Sequence, residues 1–315
     1  MTTATMRAVV FARYGDPSVL YEADLPIPTR ARGQVLVQVQ AIGVNPADGK
    51  WRSGMFARSR SLRFPHIPGY DIAGVVVEAD AGGIAVGTRI VAMLDPLKQG
   101  AYAQYAVTEA ASVSTIPDLL SFERAAAIPT PGLTGVQLIE EHLDVRKGQT
   151  ILLTGATGAV GRFALHAALA RGASVVAAVR EKHVAAAGAL GASSTIVLGE
   201  ASWTGPAFDH VADTVGGAAV AELCRHVRPD GRICSVSTTP VPPDGLPVAP
   251  AFVAVRADAL RLSWLTRAVA GGALSVDVAG ILPLSDAAAA QRRVEAGAAA
   301  GKIILSPDHV HASRI

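Results

Sequence analysis

The first part of the chain, up to about residue 120, alternates apolar and polar positions with the period of two that half-buried strands show. The runs are separated by Gly, Pro and Asp, which favour turns. Gly and Pro are densest in PADGKWRSG and FPHIPGYD, so irregular connections are expected there. The predicted strands are RAVVF, QVLVQVQAIGV, IAGVVVEA, TRIVAML and AYAQYAV. This part is therefore predicted to be rich in β-structure.

The pattern changes after residue 132, where a helical spacing over Leu133 to Glu141 is followed by apolar strands that alternate with helical segments. This alternation is typical of βαβ units with a parallel sheet covered on both faces. The predicted fold class is α/β, with a doubly wound parallel sheet. The predicted strands are TILLT, SVVAAV, STIVL, FDHVADTV, GRICSVS, FVAV and KIILS. The predicted helices are residues 158–171, 182–190, 218–227, 260–271 and 285–296.

A glycine-rich loop, GATGAVG, lies between the strand TILLT and the next helix. Its core matches the dinucleotide pattern G-x-G-x-x-G with Ala156 in the first position. Gly158 lets the backbone approach a pyrophosphate, and Gly161 lets the helix pack closely on the strand. The helix N-terminus offers N–H groups to phosphates. We expect these residues to bind a dinucleotide: Gly155, Ala156, Thr157, Gly158, Ala159 and Val160. The alternative is a glycine-rich turn without a ligand.

Arg180 follows the second strand of this region, 19 residues after Gly161. In NAD-binding units an Asp or Glu near this position accepts hydrogen bonds from the ribose hydroxyls. An arginine fits the oxygens of a 2′-phosphate instead, and Lys182 adds a second cation. Glu181 is expected to face solvent. The pattern favours NADPH over NADH as the cofactor, and the alternative is that Arg180 is a solvated loop residue.

Composition excludes several function classes. The 315 residues are half hydrophobic, which is enough for a large core and two domains. A formal net charge of +2 predicts no face for nucleic acid or an anionic membrane. The two cysteines, Cys224 and Cys234, make no disulfide framework, and neither a signal peptide nor an apolar run of membrane-spanning length is found. A cytoplasmic location is expected.

Nearly the whole chain resembles the medium-chain dehydrogenase/reductase superfamily, in its zinc-independent quinone oxidoreductase-like branch. The resemblance implies a β-rich, GroES-like catalytic domain of residues 1–121 and 257–315. It implies a Rossmann dinucleotide-binding domain of residues 122–256, and a homodimer paired through the edge strand FVAV. The stretches that carry it include MRAVVFARYGDPSVL, GQVLVQVQAIGVNPADGKWRSG, FPHIPGYDIAGVVVEA, GAYAQYAV, GATGAVG, DTVGG and RPDGRICSVS.

The chain departs from the zinc-dependent members of that superfamily. They carry Cys where this chain has Asn45, and His-Glu where it has Tyr70-Asp71. Zinc needs three good N, S or O ligands around an open position, so no metal is expected here. The resemblance then implies reduction of the C=C bond of a quinone or α,β-unsaturated carbonyl with NADPH. The alternatives are an enoyl-thioester reductase of a biosynthetic pathway and a non-catalytic NADPH-binding protein.

The resemblance also implies site residues, position by position. Asn45 is expected to donate to the nicotinamide carboxamide or the substrate oxygen, Tyr70 to donate a bond or proton, and Lys50 to be a third catalytic candidate. The alternatives are that Asn45 is a turn residue before Pro46 and that Tyr70 is a packing residue. Asp48 and Asp71 are expected to be framework residues and Trp51 a packing residue. Further cofactor contacts are expected from Thr134, Val215, Gly216, Ser237, Phe252, Val253 and Lys302, although an exposed lysine at the strand start is the simpler interpretation of Lys302.

Overall fold

The structure is a computed structural model that describes residues 4–200, 203–297 and 301–307. Within these ranges the chain divides into two compact units. Met1–Thr130 and Ala257–Ile315 form one, called the β unit below, and Pro131–Arg256 form the other, called the α/β unit. The roles of the units as catalytic and dinucleotide-binding domains stay predictions.

In the α/β unit the helices and strands follow one another in the order that the alternation of the sequence predicts. The strands are β1 (Thr5–Val10), β2 (Tyr21–Pro26), β3 (Gln34–Gly43), β4 (Asp71–Glu78), β5 (Arg89–Met93), β6 (Tyr105–Glu109), β7 (Val113–Thr115), β8 (Thr150–Thr154), β9 (Ser174–Val179), β10 (Ser194–Val197), β11 (Phe208–Asp213), β12 (Val227–Ser235), β13 (Ala251–Phe252), β14 (Val278–Pro283) and β15 (Lys302–Ser306). The helices are α1 (Pro46–Arg52), α2 (Phe122–Ala126), α3 (Pro129–Gln137), α4 (Ala159–Ala170), α5 (Val184–Ala189), α6 (Ala218–Cys224), α7 (Ala259–Ala270) and α8 (Ala287–Glu295).

The β unit is built on a sheet with the strand order β14-β15-β3-β4-β5-β7, and β6 also pairs with β3. Its core comes from strand residues that point inward at alternate positions, such as Val37, Val39 and Ile72. The sequence pattern does not predict β2, β7 or β14. β2 is largely exposed, β7 has three residues and β14 is half-buried along its length, so none shows a clear apolar period.

The α/β unit contains a parallel sheet with the strand order β10-β9-β8-β11-β12-β13. Numbered within the unit, this is the 3-2-1-4-5-6 order of a Rossmann sheet. The order reverses between β8 and β11, which is the point where such sheets bind ligands at the carboxyl ends of their strands. The helix predicted over Leu133 to Glu141 starts earlier, at Pro129, and continues into a π-helical turn, Leu138–His142.

Helix α1 lies in a segment that was expected to be irregular. Pro46 occupies its first turn, where the missing N–H costs no hydrogen bond. Asp48 accepts a hydrogen bond from the N–H of Asn45, at 2.9 Å, and so caps the first turn. Gly49 allows α1 to approach α8, because a Cβ there would lie 2.3 Å from Glu295 Oε1. The cap at Asp48 and the close packing of Gly49 on α8 therefore stabilise a helix in a segment whose Gly and Pro content favours a loop.

A buried arginine fixes α1 against α8. Arg52 is 1% exposed, and its Nε donates to Gln291 Oε1 at 2.6 Å. Its guanidinium also donates to the carbonyl of Gly15 at 2.5 Å and pairs with Glu295. One side chain thus joins α1, α8 and the loop after β1.

We expect Arg52→Met to lower the free energy of unfolding by roughly 2–4 kcal/mol, because three acceptors lose a charged donor. Urea unfolding followed by circular dichroism measures the change. Arg58→Met is the matched control, since Arg58 is exposed and only a few residues away. Equal urea midpoints for the two variants would contradict the proposed role of Arg52.

Candidate functional site

The carboxylate of Asp213 joins three strand ends of the α/β unit. Asp213 is fully buried, and its Oδ1 accepts from Thr154 Oγ1 at 2.6 Å. The same oxygen accepts the backbone N–H groups of Val215 and Gly216 at 3.0 and 2.9 Å. Its Oδ2 accepts the hydroxyl of Ser235. The carboxyl ends of β8, β11 and β12 are therefore held side by side at the edge where the strand order reverses.

The glycine-rich loop turns from β8 into α4 at this edge. Gly155 has a φ of +66°, and its N–H donates to the carbonyl of Ala178 in β9 at 2.8 Å. A Cβ at Gly161 would lie 2.0 Å from the Gly155 carbonyl oxygen, so only glycine permits this packing of α4. A Cβ at Gly158 would meet only that same oxygen, at 3.2 Å. The space over Gly158 and the first N–H groups of α4, from Ala159 on, fit a phosphate-bearing ligand.

Arg180 lies at the same edge of the sheet. It directly follows β9, two residues after the Ala178 carbonyl that binds Gly155. Its side chain is exposed, and one guanidinium nitrogen is 3.4 Å from Nε2 of His183. Lys182 and Glu181 are exposed as well. Two cations and one acidic residue therefore directly follow the strand whose end is bonded to the glycine-rich loop.

Three more predicted cofactor contacts cluster after β11 and β12. Gly216 has a φ of +77°, and a Cβ there would lie 2.0 Å from the Thr239 carbonyl oxygen. The Ser237 hydroxyl donates to the Val215 carbonyl at 2.8 Å and accepts the N–H of Thr239 at 3.1 Å. Val215, Gly216 and Ser237 are thus brought together at the carboxyl edge.

The other predicted contacts of this unit are more dispersed. Thr134 is half-buried on α3, and its neighbour Gly135 packs so closely on α4 that a Cβ would lie 2.8 Å from the Val160 carbonyl oxygen. Phe252 lies in the edge strand β13 and is 60% exposed. Val253 donates its N–H to the Ser235 carbonyl at 2.9 Å. The strand predicted as FVAV is shorter than expected, since only Ala251–Phe252 are assigned to it.

In the β unit, the Asp71 carboxylate is the centre of a buried polar network. Its Oδ1 accepts from the N–H and the hydroxyl of Thr130 at 2.9 and 2.6 Å. Its Oδ2 accepts from Asn45 Nδ2 at 2.9 Å and from Lys302 Nζ at 3.3 Å. Lys302 also donates to Asn45 Oδ1. Burial raises the pKa of Asp71, although the Lys302 charge and these bonds oppose the shift.

This network corrects two expectations. Lys302 starts β15, but it is only 7% exposed, so the interpretation as an exposed lysine is wrong. Its side chain fits because Gly43 leaves room, since a Cβ there would lie 3.0 Å from Lys302 Cε. The amide of Asn45 donates to Asp71 and, at 3.3 Å, to the Gly43 carbonyl. Both amide hydrogens are thus used inside the protein, which does not favour the expected donation to a ligand.

Asp48 is the second buried carboxylate of this unit. Its Oδ2 accepts from the Asn45 N–H and from the hydroxyl of Tyr102, each at 2.9 Å. Its Oδ1 is buried and has no hydrogen-bond partner among the described residues. Burial raises the pKa of Asp48 from 3.8 to about 7, against the effect of its two donors. Asp48 and Asp71 are both framework residues, as the sequence predicts, but with strongly perturbed environments.

Tyr70 and Lys50 complete the predicted catalytic set. Tyr70 is 7% exposed, and its hydroxyl oxygen accepts a hydrogen bond from Nε1 of Trp51. Burial and the nearby Asp48 charge raise the pKa of Tyr70, so its hydroxyl keeps its proton at neutral pH. Lys50 is half-buried on α1, and burial lowers its pKa. Trp51 does pack, with its ring centroid 5.0 Å from that of Phe56, but it is also a hydrogen-bond donor.

The sequence analysis does not predict several residues of these networks. Asp213 lies in the stretch DTVGG, at the end of a predicted strand, and this position could have identified it as a candidate site residue. Thr130 and Tyr102 carry no such signal, because each contacts a carboxylate far away in the chain. Within the described residues, no group of three His, Cys, Asp or Glu side chains is arranged to hold a metal ion. None of the described helices is both long and apolar enough to span a membrane.

Two known families match the chain. Residues 31–118 match the family described as alcohol dehydrogenase GroES-like domain, and residues 171–305 match the one described as zinc-binding dehydrogenase. A chloroplast envelope quinone oxidoreductase homolog of Arabidopsis thaliana is 27% identical over 98% of this chain and 100% of its own length. The human quinone oxidoreductase is 35% identical over 54% of this chain, and the match spans about half of that relative, 52%.

Solved structures are similar over nearly the whole chain. A quinone oxidoreductase from Coxiella burnetii has a TM-score of 0.85 at 27% identity, covering 96% of this chain and 99% of that one. An NAD-dependent alcohol dehydrogenase has a TM-score of 0.84 at 30% identity, with 96% and 99% covered. A mycobacterial protein complexed with NADPH has a TM-score of 0.80 at 27% identity, with 96% and 100% covered.

Fold, strand order and these matches define the class of protein. The chain belongs to the medium-chain dehydrogenase/reductase superfamily. Its place within the superfamily is the quinone oxidoreductase-like branch. The predicted fold class, a Rossmann parallel sheet with a β-rich GroES-like domain, is confirmed.

The raised pKa of Asp48 predicts a pH-dependent stability. Because the folded pKa of about 7 exceeds the ordinary value of 3.8, the folded protein holds this proton more tightly. The resulting stabilisation is fully present below about pH 4 and is lost as the pH rises through 7. Asp48→Asn removes the titration, and its amide oxygen can accept the same two bonds. Relative to Asp48→Asn, the natural protein should lose roughly 1–4 kcal/mol of unfolding free energy between pH 4 and 7.

Urea unfolding at a series of pH values measures this difference. Asp118→Asn is the control, because Asp118 is an exposed carboxylate. A pH profile of Asp48→Asn that runs parallel to that of the natural protein would contradict the assignment.

Proposed function

We propose that the protein is a zinc-independent, NADPH-dependent oxidoreductase that reduces the C=C bond of a quinone or an α,β-unsaturated carbonyl. The observation that carries this proposal is the Rossmann edge of the α/β unit, where the glycine-rich loop and Arg180 lie side by side. The quinone oxidoreductases among its relatives support the substrate class. We also propose that the protein acts in the cytoplasm, on a small-molecule substrate, and has no nucleic-acid partner.

The residues of this edge fit a dinucleotide. The backbone from Gly155 to Val160 and the N-terminus of α4 would hold the pyrophosphate, because a Cβ at Gly158 would meet only the Gly155 carbonyl oxygen and the backbone there is open to a ligand. Candidates for the rest of the cofactor contacts within this unit are Thr134, Val215, Gly216, Ser237, Phe252 and Val253. When bound, the reduced nicotinamide supplies hydride to the electrophilic carbon of the substrate.

The preference for the 2′-phosphate rests on Arg180 and Lys182. Both are exposed at the end of β9, where an acidic residue would otherwise bind the ribose. The planar guanidinium of Arg180 can bind two phosphate oxygens at once. The mycobacterial neighbour complexed with NADPH supports this choice, whereas the NAD-dependent neighbour represents the alternative.

In the β unit, Tyr70 is our candidate for the group that binds the substrate oxygen. A protonated hydroxyl can donate to an oxygen on which negative charge develops, and such a donor lowers the barrier most when it is held in place beforehand. We assign Asn45 and Lys302 a positioning role around Asp71, because their polar groups bind one another. Lys50, half-buried on α1, remains a further catalytic candidate.

The proposed zinc independence is supported by the chemistry of the residues at the positions where the zinc-dependent members hold their metal. Asn45 and Tyr70 are poor zinc ligands. Both Asp71 oxygens accept hydrogen bonds from this chain's own donors. We also propose a homodimer through β13, because it is the edge strand of its sheet and Phe252 is exposed on it.

NADPH oxidation, followed at 340 nm against a panel of quinones, enones and enoyl thioesters, tests the activity. We expect turnover of quinones or enones, without added zinc and without bound zinc in metal analysis. Turnover of enoyl thioesters alone would favour a biosynthetic reductase. No turnover of any acceptor would favour a non-catalytic NADPH-binding protein.

Arg180→Gln tests the cofactor preference. We expect the dissociation constant for NADPH to rise about 10–100-fold and that for NADH to stay unchanged, because only NADPH loses a charged hydrogen bond. Fluorescence titration measures both constants. Arg225→Gln, at an exposed arginine paired with Glu222, is the matched control. Tighter binding of NADH than NADPH by the natural protein would overturn the preference.

A further inference from the structure

The hydrogen bond between Trp51 and Tyr70 uses the tyrosine oxygen as an acceptor and leaves its O–H as an unused donor. The Trp51 indole N–H donates to the Tyr70 oxygen, so the O–H of Tyr70 remains available as a donor. No described residue accepts a hydrogen bond from that O–H. A tryptophan side chain has no acceptor, so the direction of the bond between the two residues is unambiguous.

The donor side of this bond is held rigidly. Trp51 lies in the last turn of α1, directly before Arg52, whose side chain fixes α1 to Gln291 and Glu295 of α8. The ring of Trp51 also packs against Phe56. The indole is therefore confined by the helix on one side and an aromatic contact on the other.

The acceptor side is held just as firmly. Tyr70 directly precedes Asp71, whose carboxylate is bound to Thr130, Asn45 and Lys302. The carbonyl of Tyr70 accepts the N–H of Leu94 at 2.7 Å. Gly69 has a φ of +99°, and a Cβ there would lie 2.5 Å from the Tyr102 ring, so the backbone before Tyr70 is restricted to glycine. Both ends of the bond thus stand on fixed backbone.

We propose that Trp51 is a positioning residue that orients the Tyr70 hydroxyl so that its O–H points to the carbonyl oxygen of the substrate. This rests on the function proposed above. An indole bond to the phenol oxygen fixes the rotation of the O–H and increases its strength as a donor through polarisation. The raised pKa of Tyr70 agrees with this role, since a hydroxyl that never ionises near neutral pH always has a proton to donate.

A double-mutant cycle of Trp51→Phe and Tyr70→Phe tests the coupling. We expect Tyr70→Phe to lower kcat about 10–100-fold and Trp51→Phe about 3–10-fold, each with an unchanged dissociation constant for NADPH. The double variant should be no slower than Tyr70→Phe, because Trp51 acts only through Tyr70. Trp203→Phe, which removes an indole N–H bond to Pro206 in the other unit, is the control and should keep natural kcat.

A second measurement does not depend on turnover. The chain has three tryptophans, so the indole N–H resonances in a ¹H–¹⁵N spectrum are few, and Trp51→Phe assigns one of them by its loss. Tyr70→Phe should move the Trp51 resonance and leave the other two in place. An unmoved resonance would show that the bond is absent and would overturn the inference.

The outcomes separate this inference from the function on which it rests. Equal kcat for Trp51→Phe and the natural protein, or additive losses in the double variant, would overturn the positioning role while leaving the reductase intact. A natural protein that reduces no acceptor would overturn the proposed function, and the catalytic role of Trp51 with it.

Discussion

The buried ion pair of Lys302 and Asp71 is the interaction on which the β unit depends most. Burying two charges is costly unless every remaining donor and acceptor is satisfied. Here the carboxylate accepts four donors, from Thr130, Asn45 and Lys302. Together with Asp71, these residues come from four distant segments of the chain, and the pair therefore sets where β4, β15 and the start of α1 lie. The position of Tyr70, next to Asp71, follows from it.

Asp213 has the corresponding place in the α/β unit. Its carboxylate binds one strand end on either side of β11 and the turn that follows. Parallel strands bring their carboxyl ends to one edge, and a buried acceptor at that edge fixes the loops that leave it. The glycine-rich loop and Arg180 thus follow strands whose ends are fixed, and a fixed site is what the proposed discrimination between two similar dinucleotides would require.

Prediction succeeded where one short stretch of sequence determines the outcome. The loop from Gly155 to Gly161 was recognisable because steric limits act between residues that are close in the chain. Counting from that loop also predicted that Arg180 follows the end of the next strand, whereas its role toward a cofactor stays a prediction. Prediction failed for Lys302 and α1. A lysine at the start of a strand gives no local sign that it will be buried. The Gly and Pro residues of α1 favour a loop in the sequence, and α1 forms because Asp48 caps it and Gly49 packs against α8.

The sequence by itself determined the fold class, the order of strands and helices in the α/β unit, the glycine-rich loop and the basic residues that follow the next strand. Each of these depends on periodicity or on spacing within a few tens of residues. Only the tertiary structure decided which polar side chains meet. It paired Lys302 with Asp71, left one oxygen of Asp48 without a partner among the described residues, and joined Trp51 to Tyr70. Such contacts depend on how distant segments pack, and a linear pattern carries no information about the directions in which their side chains point.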